Sequence, residues 1–111
     1  MSGAIIRVLT LIGSNTQYDI RKMIAKHIIF VGRVQGVGFR FTARRAASRR
    51  QLTGFVRNLW DGTVEMLAQG RPDDVDDCIQ DLKEYFAGYL KETRIEEIPP
   101  DPKHTDFKIT F

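Results

Sequence analysis

The chain has 111 residues, 42% hydrophobic and 28% charged, which suits one soluble domain whose core needs no covalent staple. Lys+Arg 17 against Asp+Glu 14 gives a net charge of +3, a mild excess that suits an anionic ligand without requiring nucleic acid. The single cysteine, Cys78, excludes an intrachain disulfide and a cysteine-based zinc site and fits a reducing compartment, and no apolar run approaches the ~20 residues of a membrane helix.

Residues 1–22 contain the apolar run Ala4–Ile12, which Arg7 interrupts and no basic stretch precedes, so it does not read as a signal peptide. Met23 begins a segment that makes a domain by itself. The expected organisation is an extension over 1–22, partly disordered, and a domain over 23–111. Lys26–Val31 is β-branched and aromatic and reads as a strand. Its successor, GRVQGVGFR (Gly32–Arg40), packs three glycines into nine residues. From Phe39 to Gln51 the pattern turns helical, with Phe39, Ala43, Ala46 and Ala47 on one stripe.

Thr53–Leu59 and Thr63–Gln69 read as two strands joined at Asp61-Gly62. A two-residue loop would turn Arg57 toward the side of Met66. A three-residue loop, Trp60-Asp61-Gly62 with Gly62 left-handed, pairs Leu59 with Thr63 instead. Val56 and Asn58 then share a face with Val64, Met66 and Ala68, so this register is preferred. It leaves Asn58 as a polar side chain on the covered face. A second helix runs from Pro72 to Phe86 with the stripe Val75, Cys78, Ile79, Leu82 and Phe86. Thr93–Ile98 is a strand, a proline-rich loop follows, and Phe107, Ile109 and Phe111 alternate in a short final strand. The order β-α-β-β-α-β plus a C-terminal strand predicts an α+β, ferredoxin-like split β-α-β sandwich, with two helices on one face of an antiparallel sheet.

A strand, a glycine-rich turn and a helix start in series form an anion site. Backbone N–H groups converge there and the helix dipole adds to them. Arg40, in the first helical turn, has a planar fork suited to two phosphate oxygens. The alternative is a tight turn with a solvated arginine. The glycines match neither a Walker A loop nor G-x-G-x-x-G. Asn58 likewise has two readings, a turn-stabilising asparagine or one that orients a water or ligand.

At these two stretches the sequence resembles acylphosphatases. GRVQGVGFR matches the family's G-x-V-Q-G-V-x-F/Y-R loop, and GFVRNLWDGTVE its second motif, N-x-x-D/K-G-T/S-V after a glycine and an aromatic. The similarity runs from about Lys26 to Phe111. It implies hydrolysis of acyl phosphates to a carboxylate and inorganic phosphate, with no metal and no cofactor. It implies phosphate binding by Arg40 and the backbone of Arg33, Val34, Gln35, Gly36, Val37 and Gly38, and a water held by Asn58. The lack of an acid–base pair in the motifs fits, because a carboxylate leaving group has a conjugate-acid pKa of ~4–5 and departs unprotonated.

Other features carry structural expectations. Asp73, Asp74, Asp76 and Asp77 open the second helix and suit its dipole rather than a metal. His27 reads as a packed or edge residue, Cys78 as an inert core thiol, and Trp60 as flanking the site entrance. A cytoplasmic monomer acting on a small acyl phosphate, with no nucleic acid or membrane partner, is expected. The alternatives are a non-catalytic phosphate- or RNA-binding module on this fold, or a relative of carbamoyl-phosphate-handling hydrogenase-maturation domains. In the latter a proline follows the arginine where this chain has Phe41.

Overall fold

Sheet order follows from how the alternating strands share their apolar face. The computed structural model describes residues 22–111; the extension expected over 1–22 lies, but for Lys22, outside the described residues. The elements are β1 (Ile24–Gly32), α1 (Phe39–Arg49), β2 (Thr53–Asn58), β3 (Val64–Gly70), α2 (Pro72–Tyr85), β4 (Leu90–Ile98) and β5 (Phe107–Ile109). They form one sheet in the order β4-β1-β3-β2-β5. Ile28 and Phe30 of β1, Val56 of β2 and Val64, Met66 and Ala68 of β3 face the helices. Phe39, Ala43, Ala46 and Ala47 of α1 and Val75, Cys78, Ile79 and Leu82 of α2 close over them, all buried.

The hairpin register is the one that keeps this face apolar. Val56 pairs with Met66 and Asn58 with Val64. The Leu59 N–H donates to Thr63 O at 2.9 Å, and Gly62 is left-handed at φ 92°. Several boundaries differ from expectation: β1 begins at Ile24, α2 ends at Tyr85 and β5 ends at Ile109, short of Phe111. Helix α1 stops at Arg49 because Gln51 turns left-handed (φ 58°) and the Gln51 and Leu52 N–H groups fold back to Ser48 and Ala47 carbonyls. Strand β4 starts earlier than expected, at Leu90, because its pairing with β1 continues to Gly32.

The last strand departs from the all-antiparallel plan. Strand β5 lies parallel to β2, while every other pair is antiparallel, so the sheet is mixed. The reason is topological. Strand β4 ends beside the start of β1, at the end of the sheet where β2 also begins. The proline-rich segment crosses that end to the far edge, so β5 has to run in the β2 direction. Gln69, buried, clamps the crossover: its Nε2 donates to Asp101 O at 2.9 Å and its Oε1 accepts from Asp101 N at 2.8 Å. Strands β1, β2 and β5 consequently all finish at one end of the sheet.

An aromatic column fastens that end. The Phe39 ring lies 4.6 Å from Phe30 and 4.5 Å from Phe86, centroid to centroid. Phe39 is the first residue of α1, so this packing sets where the helix begins. Phe39→Ala is expected to lower stability by about 3 kcal/mol through lost burial and a cavity, read as a lower urea midpoint at unchanged slope.

Candidate active site

Segment 33–38 carries the chain from β1 into α1. Gly36 and Gly38 sit at φ 80° and 79°, and a Cβ on either would meet nothing within 4 Å. Left-handed backbone, not lack of space, therefore demands glycine here. Gly38 caps α1 without a side-chain hydrogen bond, and no acidic residue lies in the first turn. The first intrahelical bond runs from Thr42 N to Gly38 O, so the N–H groups of Phe39, Arg40 and Phe41 have no acceptor within the helix. They add their dipoles to the positive end of α1.

The loop is anchored at several points. Val34 is buried in the core and Val37 packs against it. The Arg33 N–H donates to Tyr89 O at 2.9 Å, and its guanidinium lies 6.0 Å from the Tyr89 ring. Gln35 Nε2 donates to both Leu59 O (2.7 Å) and Thr63 O (2.9 Å), tying the loop to the β2–β3 hairpin. The hairpin tip is stiffened in turn: Asp61 Oδ1 accepts from Thr63 Oγ1 (2.7 Å) and Thr63 N (3.0 Å). These bonds hold the Asp61 carboxyl below the usual carboxylate range.

Asn58 ends β2 beside the loop, on the helix-covered face. Its Oδ1 is buried and has no hydrogen-bond partner among the described residues, so it is free to accept a donor from whatever enters beside it. Asn58 lines a cavity of about 320 Å³ together with Val34, Gly36, Gly38, Arg40, Phe39, Phe41, Ile109 and Phe111. Of the residues singled out in the sequence, Val34, Gly36, Gly38, Arg40 and Asn58 thus meet in one cavity. Arg33, Gln35 and Val37 belong to the same loop, with their side chains engaged as described above. Trp60 is fully exposed and does not line the cavity.

Phe41, Ile109 and Phe111 are the lining residues that motif reading missed. Phe41 carried a signal, since it is an aromatic off the apolar stripe of α1. A final strand ending near the loop brings Phe111 within reach of Arg40, but the contact is made by its ring and not by a carboxylate ion pair. Arg40 is half-buried, makes no ion pair among the described residues, and lies over the Phe111 ring at 5.2 Å. The end of the chain meets Arg40 through this ring.

The remaining polar candidates are engaged elsewhere. Asp76 pairs with Lys26 at 2.7 Å, and Asp81 with Arg50 at 2.6 Å. His27 Nε2 lies 2.7 Å from Glu65 Oε2, and the Arg57 Nε–H donates to Glu65 Oε1, on the sheet face away from the helices. Burial would raise the Glu65 pKa, but these two partners outweigh it and leave the carboxyl below its ordinary value. Burial pushes the Cys78 thiol up to about 11, so it stays protonated at neutral pH and is a poor nucleophile.

An uncapped helix start, two left-handed glycines and an arginine with no ion-pair partner among the described residues surround one cavity on a split βαβ fold, the arrangement of the oxyanion-binding class. Comparison with known proteins narrows it. Residues 26–109 match the sequence model of the Acylphosphatase family. An acylphosphatase of Alcanivorax borkumensis is 42% identical over 92 residues, covering 79% of this chain and all of that one. The crystal structure of acylphosphatase from Bacillus subtilis superposes with a TM-score of 0.72 at 31% identity, covering 79% of this chain and 99% of that one. The T. kodakarensis HypF structure gives a TM-score of 0.69 at 33% identity, covering 79% of this chain but 12% of that longer one. The chain belongs to the acylphosphatase family.

Proposed function

We propose that this chain hydrolyses acyl phosphates to a carboxylate and inorganic phosphate without a metal ion. Phosphate is held by the 33–38 backbone and Arg40, and the attacking water is oriented by Asn58. The observation that carries the reading is the meeting of Arg40, the open α1 start and the unpartnered Asn58 Oδ1 in one cavity. Phosphoryl transfer asks a protein mainly for positioning and charge stabilisation. Backbone N–H groups and the Arg40 fork supply the charge complement. Asn58 Oδ1 accepts a hydrogen bond from one water O–H and aims the oxygen lone pair at phosphorus. The P–O bond to the acyl group breaks, the carboxylate leaves unprotonated, and a phosphate oxygen takes the water's proton. A monomer in the cytoplasm is part of this reading, and the free thiol of Cys78 suits a reducing compartment.

The test is phosphate release from acetyl phosphate and benzoyl phosphate, with and without EDTA. Equal turnover in both conditions is expected. Turnover abolished by EDTA would overturn the metal-free reading, and a folded wild type that releases no phosphate would overturn hydrolysis itself.

Gln35 serves this site by positioning. Its two donated bonds couple the phosphate loop to the hairpin beside Asn58. Gln35→Ala frees the loop and hairpin to move apart, and misplacement on that scale costs about 10²-fold in kcat. Inhibition by inorganic phosphate should change much less, because the 33–38 backbone keeps its own anchors. Gln35→Glu, which loses the donors at nearly equal shape, should resemble Gln35→Ala.

A further inference from the structure

We propose that Phe41 and Phe111 form the acyl subsite, and that it takes acyl phosphates whose acyl group is an aromatic ring or a branched hydrocarbon. The inference rests on the acyl phosphate reading and names the substrate class of the same cavity. Phe41 is 67% exposed and Phe111 95%, so neither ring serves the core. Single exposed apolar residues need no explanation, but these two line the cavity that holds Arg40 and Asn58, with Ile109 beside them. Phosphate occupies the end made by Gly36, Gly38 and Arg40. The acyl carbon is one bridging oxygen from phosphorus, which puts the acyl group within reach of the apolar side chains that share this cavity, Phe41, Ile109 and Phe111 among them.

The arginines fit this division. A guanidinium stacks through its face and donates through its edge. The Arg40 Cζ lies 5.2 Å from the Phe111 ring centroid, a cation–π contact that leaves its N–H groups for phosphate oxygens. Arg44 lies over Phe41 at the same distance, 5.2 Å. A flat acyl group offers these aromatic rings stacking or edge contacts that an acetyl group does not. Arg44 raises one competing class, an acyl group ending in a carboxylate, and the experiment includes it.

The experiment measures kcat/KM for benzoyl, acetyl and succinyl phosphate in wild type, Phe41→Ala and Phe111→Ala, with thermal midpoints confirming that each variant folds. Phe41→Ala is expected to cost about tenfold for benzoyl phosphate and less than about twofold for acetyl phosphate. Phe111→Ala should lower both through Arg40, the benzoyl rate more. An unchanged benzoyl-to-acetyl ratio in both variants would overturn the aromatic subsite. So would a wild-type preference for succinyl phosphate that Arg44→Ala removes. A wild type that hydrolyses none of the three would instead refute the acyl phosphate reading beneath it.

Discussion

Arg40→Ala is expected to lower kcat/KM for acetyl phosphate by about 10⁴-fold, within the range set by removing an arginine from a phosphoryl transition state. That corresponds to about 5.5 kcal/mol of lost stabilisation. The side chain is half-buried at the second position of α1, over the Phe111 ring. A cation is unfavourable at a helix N-terminus, and this one has no ion-pair partner among the described residues to offset that. The fold therefore has little to lose from its removal, and the thermal midpoint should stay level or rise slightly. Inhibition by inorganic phosphate should weaken in parallel with the rate, since the fork grips product as well as transition state. Arg40→Lys keeps the charge but loses the two-pronged geometry and the stacked face, so it should recover only part of the rate. The assay is phosphate release with product inhibition measured on each variant. A rate loss that leaves phosphate inhibition untouched would mean that Arg40 does not bind the phosphate.

What the sequence makes legible depends on whether a feature is local. The Asp61-Gly62 turn and the recurrence of Val56, Val64, Met66 and Ala68 at alternate positions determine the β2–β3 register, and the register alone puts Asn58 on the covered face. The glycines of the loop are legible as left-handed positions because few other residues sit at φ near 80°. Long-range consequences are less legible. Nothing in Phe107–Phe111 tells on which edge of the sheet it will pair. That follows from where β4 ends and how the proline segment crosses, which are properties of the assembled sheet. For the same reason the sequence suggests only that Phe111 could approach Arg40, and not that its ring lines the cavity. Gln35 is a further instance. Its place in the loop is plain, but its two side-chain bonds reach residues 24 and 28 positions away, and only the closed structure brings those carbonyls together.

Asn58→Ala separates function from stability more sharply than any other change. Its Oδ1 is a buried acceptor without a partner among the described residues, and β2 would hold its pairing with Val64 through the backbone whatever the side chain. Removing a buried polar atom that makes no bond within the protein is nearly neutral or slightly stabilising. The urea midpoint should therefore hold or rise. The rate should fall by about 10³-fold in kcat, the scale of losing one preorganised polar group from a reacting centre. Phosphate inhibition should stay close to wild type, because the 33–38 backbone and Arg40 still hold the anion. Asn58→Asp supplies the opposite control. It has the same shape, but a carboxylate facing the phosphate repels it, so inhibition weakens along with rate. If Asn58→Ala lost stability and phosphate affinity together, Asn58 would be a structural turn residue and the water would need another holder. An acceptor with no partner among the described residues, beside an arginine with no ion-pair partner among them, is what a site looks like when its partners arrive with the substrate.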